Sequence, residues 1–105
     1  MDEALRQDVR ATLLGLCRDG SPVVRPEAVE TTIAVGWRRW RSFDRRAKHS
    51  GDFEARVEDL AQGLRDRFEA NRQLVGPLME DYRFLARTLA VEFAAADRAG
   101  DSLHG

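Results

Sequence analysis

From Gly36 to Arg46 the chain reads GWRRWRSFDRR, with two tryptophans and a phenylalanine threaded through five arginines. Aromatics and guanidinium groups on one accessible surface would stack bases and neutralise phosphates, which is the chemistry of a single-strand nucleic-acid grip. Stepping around a helix at about 100° per residue separates the two kinds of side chain instead. Trp37, Trp40 and Ala47 fall on the side of Val29 and Ile33, Arg38, Arg41, Arg45 and Lys48 point away, and Arg39 and Arg46 cover the far side. The expectation is therefore two indoles turned inward and a basic strip of Arg38, Arg41, Arg45 and Lys48 open to a polyanion or a protein partner. Residues 37 to 48 hold six basic groups against one acid in a chain whose net charge is −1. That one acid, Asp44, lies on the apolar side and requires a donor such as Arg41, Lys48 or an indole N–H. Glu54, Glu58 and Asp59 of the next helix are acids that could neutralise the strip, within one molecule or from a second subunit.

No catalytic, cofactor-binding or metal-binding residues are assigned elsewhere. His49 and His104 fall in a linker and a tail and make no ligand pair at helical spacing. The eight glycines are scattered and form no phosphate-binding loop. Glu54 and Glu58 share a face, as do Asp81 and Arg83 in part, but carboxylates without histidine fit a solvated face better than acid–base catalysis. The Glu-x-x-His pattern of di-iron bundles is absent. Enzymatic activity is not expected, and no cofactor is required. The single cysteine, Cys17, excludes an internal disulfide and sits at helical spacing among apolar residues, which predicts a buried thiol.

The elements that must position the strip follow from apolar periodicity. A chain of 105 residues is one domain, 1–105, able to hold a core without metal or disulfide. The spacing of three and four predicts an all-α, four-helix bundle-like fold with helices over about 2–18, 26–48, 52–74 and 77–99 and a flexible tail over 99–105. The first helix carries Leu5, Val9, Leu13, Leu16 and Cys17, with Asp2 as N-cap and Asp19-Gly20 as stop. Pro26 suits the first turn of the second helix, in which Thr31, Thr32, Ile33, Val35 and Gly36 are weak helix formers that packing must hold. Asp52 caps the third, whose series is Phe53, Val57, Leu60, Leu64 and Phe68. That series continues in phase through Asn71, Val75, Leu78, Tyr82, Leu85, Leu89, Phe93 and Ala96 despite Gly76-Pro77. A turn there gives four similar helices; a kink gives one helix of roughly 70 Å that needs a partner chain. The cost of an interior proline, about 3 kcal/mol, favours the turn.

Leu14, Phe43, Leu74, Met79 and Phe84 lie off the main stripes and would form an exposed contact patch, with Phe43 and Phe84 as its aromatic members. Together these features describe a helical protein–protein interaction module that self-associates as a homodimer, the commonest closed oligomer. The rival reading is a nucleic-acid-binding regulator using the basic face of the second helix. MDEALRQDVR lacks the basic start and apolar run of a cleaved signal, and no stretch is long enough to span a bilayer, so a soluble cytoplasmic protein is expected.

The C-terminal stretch EDYRFLARTLAVEFAAADRAGDSLHG resembles the end of the small helical proteins exported by type VII secretion systems of actinobacteria. Those proteins end a helix with an aromatic followed four residues later by an acid, positions that Phe93 and Asp97 match. The Trp-x-Gly turn of that family is missing, and phenylalanine stands in place of its tyrosine. The resemblance implies a helical hairpin that pairs with a partner, export without a cleaved signal, and Phe93 with Asp97 as the export motif.

Overall fold

The structure, a computed structural model, describes residues 1–43, 52–70 and 76–104. Over these residues it is an all-α bundle of four helices: α1 (Glu3–Arg18), α2 (Val29–Arg41), α3 (Phe53–Ala70) and α4 (Met79–His104), with a 3-10 turn at Pro26–Ala28 leading into α2. The helix ends expected at 48 and 74 fall outside the described residues, as do Leu74, Val75 and Asn71.

The punctuation read from the sequence is found in place. The Asp2 carboxylate accepts from the Leu5 N–H at 2.8 Å, and Asp52 accepts from the Glu54 N–H at 3.0 Å, so each satisfies a donor that its helix leaves unpaired. At the other end of α1, Gly20 adopts φ 83°, donates to the Cys17 carbonyl at 3.1 Å and lets Ser21 donate to the Leu16 carbonyl at 3.0 Å. This is a Schellman closure, and it requires a residue at ease in the left-handed region. Ser21 then accepts from the backbone N–H groups of Val23 and Val24, both at 3.2 Å, which folds the connector inward and buries both valines.

Between α3 and α4 the chain turns. Gly76 stands at φ 105°, and the Asp81 carboxylate reaches back to accept from the Leu78 N–H at 2.8 Å, which caps α4. Glu54 pairs with Arg87 and Glu58 with Arg83, a reversed order that makes the two helices antiparallel. The longest dimension of the molecule is 43 Å, far short of what a continuous kinked helix needs. At its far end α4 continues to His104, past the stop expected at 99. Ala94, Ala95, Ala96 and Ala99 are the strongest helix formers, and the loss of an apolar stripe beyond them does not end the helix.

The core takes Val9 and Leu13 from α1, Val29, Ile33 and Trp40 from α2, Val57, Leu60, Leu64 and Phe68 from α3, and Tyr82, Leu85, Leu89 and Phe93 from α4. Leu78, expected in this series, is instead 70% exposed. It precedes the first turn of α4, so its side chain no longer follows the helical phase. Gly36 has a role that its poor helix propensity conceals: it is buried where α2 crosses α4, and a Cβ there would lie 3.1 Å from Leu89 Cδ1. Glu30 ties α1 to α2 by accepting from Arg6 at 2.8 Å and from Arg10 at 2.6 Å. The two guanidinium groups hold the Glu30 carboxyl below its usual range.

Candidate functional site

The aromatic and arginine segment occupies the C-terminal half of α2, and its side chains divide three ways. Trp40 is 2% exposed, and its indole N–H donates to the Asp97 carboxylate at 2.9 Å. The Arg56 guanidinium lies 3.6 Å from the centre of the Trp40 ring while donating to the Trp40 carbonyl at 2.9 Å. One arginine of α3 thus covers the indole and donates to a carbonyl in the last turn of α2. The indole donor therefore serves Asp97; Asp44 lies outside the described residues.

Phe43, expected at a partner surface, is 5% exposed with Arg56 over its ring at 5.7 Å. The regular helix closes at Ser42, so Phe43 does not continue around the wheel to the border. Trp37 departs from expectation in the other direction. One edge packs on Phe93 at 5.1 Å between ring centres, but the indole is only half-buried and Arg41 sits 5.6 Å above it. Trp37 lines an open groove with Ala34, Arg38, Arg41 and Ser42.

Arg38 and Arg41 are exposed, and neither is paired with a carboxylate among the described residues. Arg39 is not on the far solvent side. It lies across α3, donating to Asp59 at 2.9 and 3.1 Å. Gly63 makes this path available, since a Cβ there would stand 2.8 Å from Arg39 Cδ. A second groove, lined by Val35, Arg38, Arg39, Ser42, Gly63 and Arg67, adjoins the first along Arg38. Among the described residues, Asp59 is the one of the three expected acids that reaches α2, and it meets Arg39 rather than Arg38 or Arg41. Glu58 and Glu54 are held by Arg83 and Arg87 of α4, whose guanidinium hydrogen bonds draw both carboxyls below their ordinary values and raise the arginines in turn. Arg45, Arg46, Lys48 and His49 lie outside the described residues.

The two positions matched to an export motif are both committed to packing. Phe93 is fully buried between Trp37 and Trp40, and Asp97 is the acceptor of the Trp40 indole. Cys17 is half-buried, its thiol donating to the Val24 carbonyl at 3.4 Å, and burial raises its pKa. Among the described residues no three His, Cys, Asp or Glu side chains converge as a metal site, and no helix is long and apolar enough to cross a membrane.

The second candidate surface is the solvent face of α4. Phe84 is 64% and Val91 55% exposed, and the two lie one heptad apart. Of the other residues expected to join Phe84 in an exposed patch, Leu14 and Met79 pack against the core and Phe43 is buried. Leu78 and Val91 take their place. Between the end of α1 and the start of α4, Leu16, Asp19, Gly20, Ser21, Pro22, Asp81 and Phe84 line a shallow groove beside this face.

Comparison of the chain with protein-family models, with curated proteins and with solved structures finds no match. Function is therefore read from these two surfaces alone.

Proposed function

We propose that the chain is a non-enzymatic helical module that binds another protein through the solvent face of α4. The observation that carries this reading is the exposure of Phe84 and Val91 a heptad apart on one helix. A large apolar side chain left in water forgoes about 1.5–3 kcal/mol that burial would supply. Among the described residues 18 apolar side chains are buried in one cluster while these two stay in water, which is the pattern of a contact surface. The groove lined by Leu16, Pro22 and Phe84 extends that surface toward α1.

The test is site-specific photocrosslinking in cells. A photoreactive phenylalanine analogue in place of Val91 is expected to give a discrete protein adduct, while the same group in place of Arg25, exposed in the connector before α2, gives none. Equal labelling from both positions, or none from either, would remove the reading.

One observation favours a second reading, a polyanion-binding regulator. Trp37, Arg38 and Arg41 share one groove, so an aromatic face and two arginines without carboxylate partners among the described residues are available together. On this reading the protein is retained on DNA at low salt and released as salt rises, and Arg38→Gln with Arg41→Gln abolishes retention while far-ultraviolet circular dichroism is unchanged. Retention equal in parent and double variant would dismiss it.

A further inference from the structure

The α4 face has a sequence that complements itself. Asp81, Phe84, Thr88, Val91, Ala95 and Arg98 succeed one another at steps of three, four, three, four and three. These are the a and d positions of a heptad. All six are half-buried or exposed in the bundle, so the seam faces away from the core rather than into it. A helix face with this spacing on the solvent side fits the side of another helix.

Resting on the reading of α4 as the contact face, we propose that its partner is a second copy of this chain, packed α4 against α4, antiparallel about a two-fold axis. Turning one copy end for end sets Phe84 against the partner's Ala95, Thr88 against the partner's Val91, and Asp81 against the partner's Arg98. The two-fold repeats each pairing. The largest side chain of the seam meets the smallest, which keeps the interaxial distance even along its length. Opposite charges meet at both ends.

The parallel alternative lacks both properties. It sets Phe84 on Phe84 in the middle of the seam, with Asp81 facing Asp81 at one end and Arg98 facing Arg98 at the other. Juxtaposed like charges cost several kcal/mol at an interface, so charge selects the antiparallel register even though each exposed ion pair adds little affinity. The groups needed are free to act. Only one oxygen of Asp81 is used by the Leu78 N–H, and Arg98 has no carboxylate partner among the described residues. Arg83 and Arg87, the other arginines of α4, are turned toward α3 and engaged with Glu58 and Glu54. Thr88 donates to the Phe84 carbonyl at 2.9 Å, so its hydroxyl enters the seam already satisfied.

The experiment is a charge swap read by sedimentation equilibrium across a concentration series. The parent chain is expected to reach twice the monomer mass. Arg98→Asp alone and Asp81→Arg alone each put two like-charge pairs in the dimer and raise its dissociation constant on the order of tenfold or more. The double variant restores opposite charges and recovers the parent constant.

Asp81 also caps α4, so a second measurement guards against a local loss of structure in its variant. In a Cys17→Ser background, chains carrying Thr88→Cys are mixed with chains carrying Val91→Cys and oxidised. The antiparallel register gives a mixed disulfide in preference to either self-disulfide; the parallel register gives the reverse and overturns the proposal. A parent that stays monomeric throughout the series also overturns it, as does a double variant no tighter than the singles. A photoadduct from position 91 to a different protein, with a monomeric parent, leaves the α4 contact reading standing and removes self-pairing alone.

Discussion

Phe93→Ala is expected to cost about 3–5 kcal/mol of folding stability, measured by chemical denaturation, the range for emptying a buried aromatic site. Phe93 is fully buried on α4 and meets Trp37 edge-on at 5.1 Å and Trp40 tilted at 5.9 Å between ring centres. The space left cannot close easily. Gly36 has already brought the α2 backbone against this part of α4, with its missing Cβ position 3.7 Å from Phe93 Cε2, so little inward movement remains. Small domains hold about 5–15 kcal/mol in all, and the melting temperature should fall by roughly 12 °C or more. Arg25→Ala, exposed in the connector before α2 and outside the α4 face, is the control and should stay within about 0.5 kcal/mol of the parent. A stable Phe93→Ala protein would show that the helices around this ring are not packed as described. The comparison bears on the export resemblance too: loss of export in a Phe93 variant reports a damaged fold before it reports a lost signal, whereas Asp97→Asn keeps an acceptor for the indole and is the cleaner probe.

Trp40→Ala should be nearly as damaging, about 3–5 kcal/mol, because three interactions leave together. The ring packs at 2% exposure, it supports the Arg56 guanidinium at 3.6 Å, and its N–H is a donor to Asp97. Trp40→Phe separates these contributions. A phenyl ring still fills most of the site and still lies under Arg56, but the carboxylate loses its indole donor, a loss of about 1–3 kcal/mol for a polar group left unsatisfied in a part-buried place. In the Trp40→Phe background, Asp97→Ala should then cost much less than in the parent, since the donor it served is gone. Additive losses in that double-mutant cycle would mean that the indole and the carboxylate are not coupled.

The helix stripes were legible because burial in a bundle follows the 3.6-residue period: Val9 and Leu13, Val57 to Phe68, and Tyr82 to Phe93 all face inward as their spacing demands. Asp2, Asp52 and Asp19-Gly20 were legible because their side chains or φ values solve local problems at helix ends. What the wheel misassigned lies where a helix stops being regular. Phe43 follows the end of α2 and folds in; Leu78 precedes the start of α4 and swings out. Val23 and Val24, between the first two helices and outside any helical stripe, are core residues, placed there by the Ser21 hydroxyl. The destination of each arginine was not legible at all. Whether Arg39 meets solvent or Asp59 depends on a glycine on a different helix, and whether Glu58 serves Arg39 or Arg83 depends on which helix lies nearer, a tertiary fact with no local signature.

The placement of the two tryptophans gives the molecule a pair of built-in optical probes. Three residues apart on one helix, they occupy different media: Trp40 is dry, flanked by a guanidinium and a carboxylate, while Trp37 is half in water at the lip of the groove it shares with Arg38 and Arg41. A neutral collisional quencher reaches the outer indole and leaves the inner one emitting, so its fluorescence divides into an accessible and a shielded fraction. A ligand settling in the groove changes the first fraction alone, whereas loosening of the bundle changes both, and occupancy and integrity become separable in a single unlabelled sample.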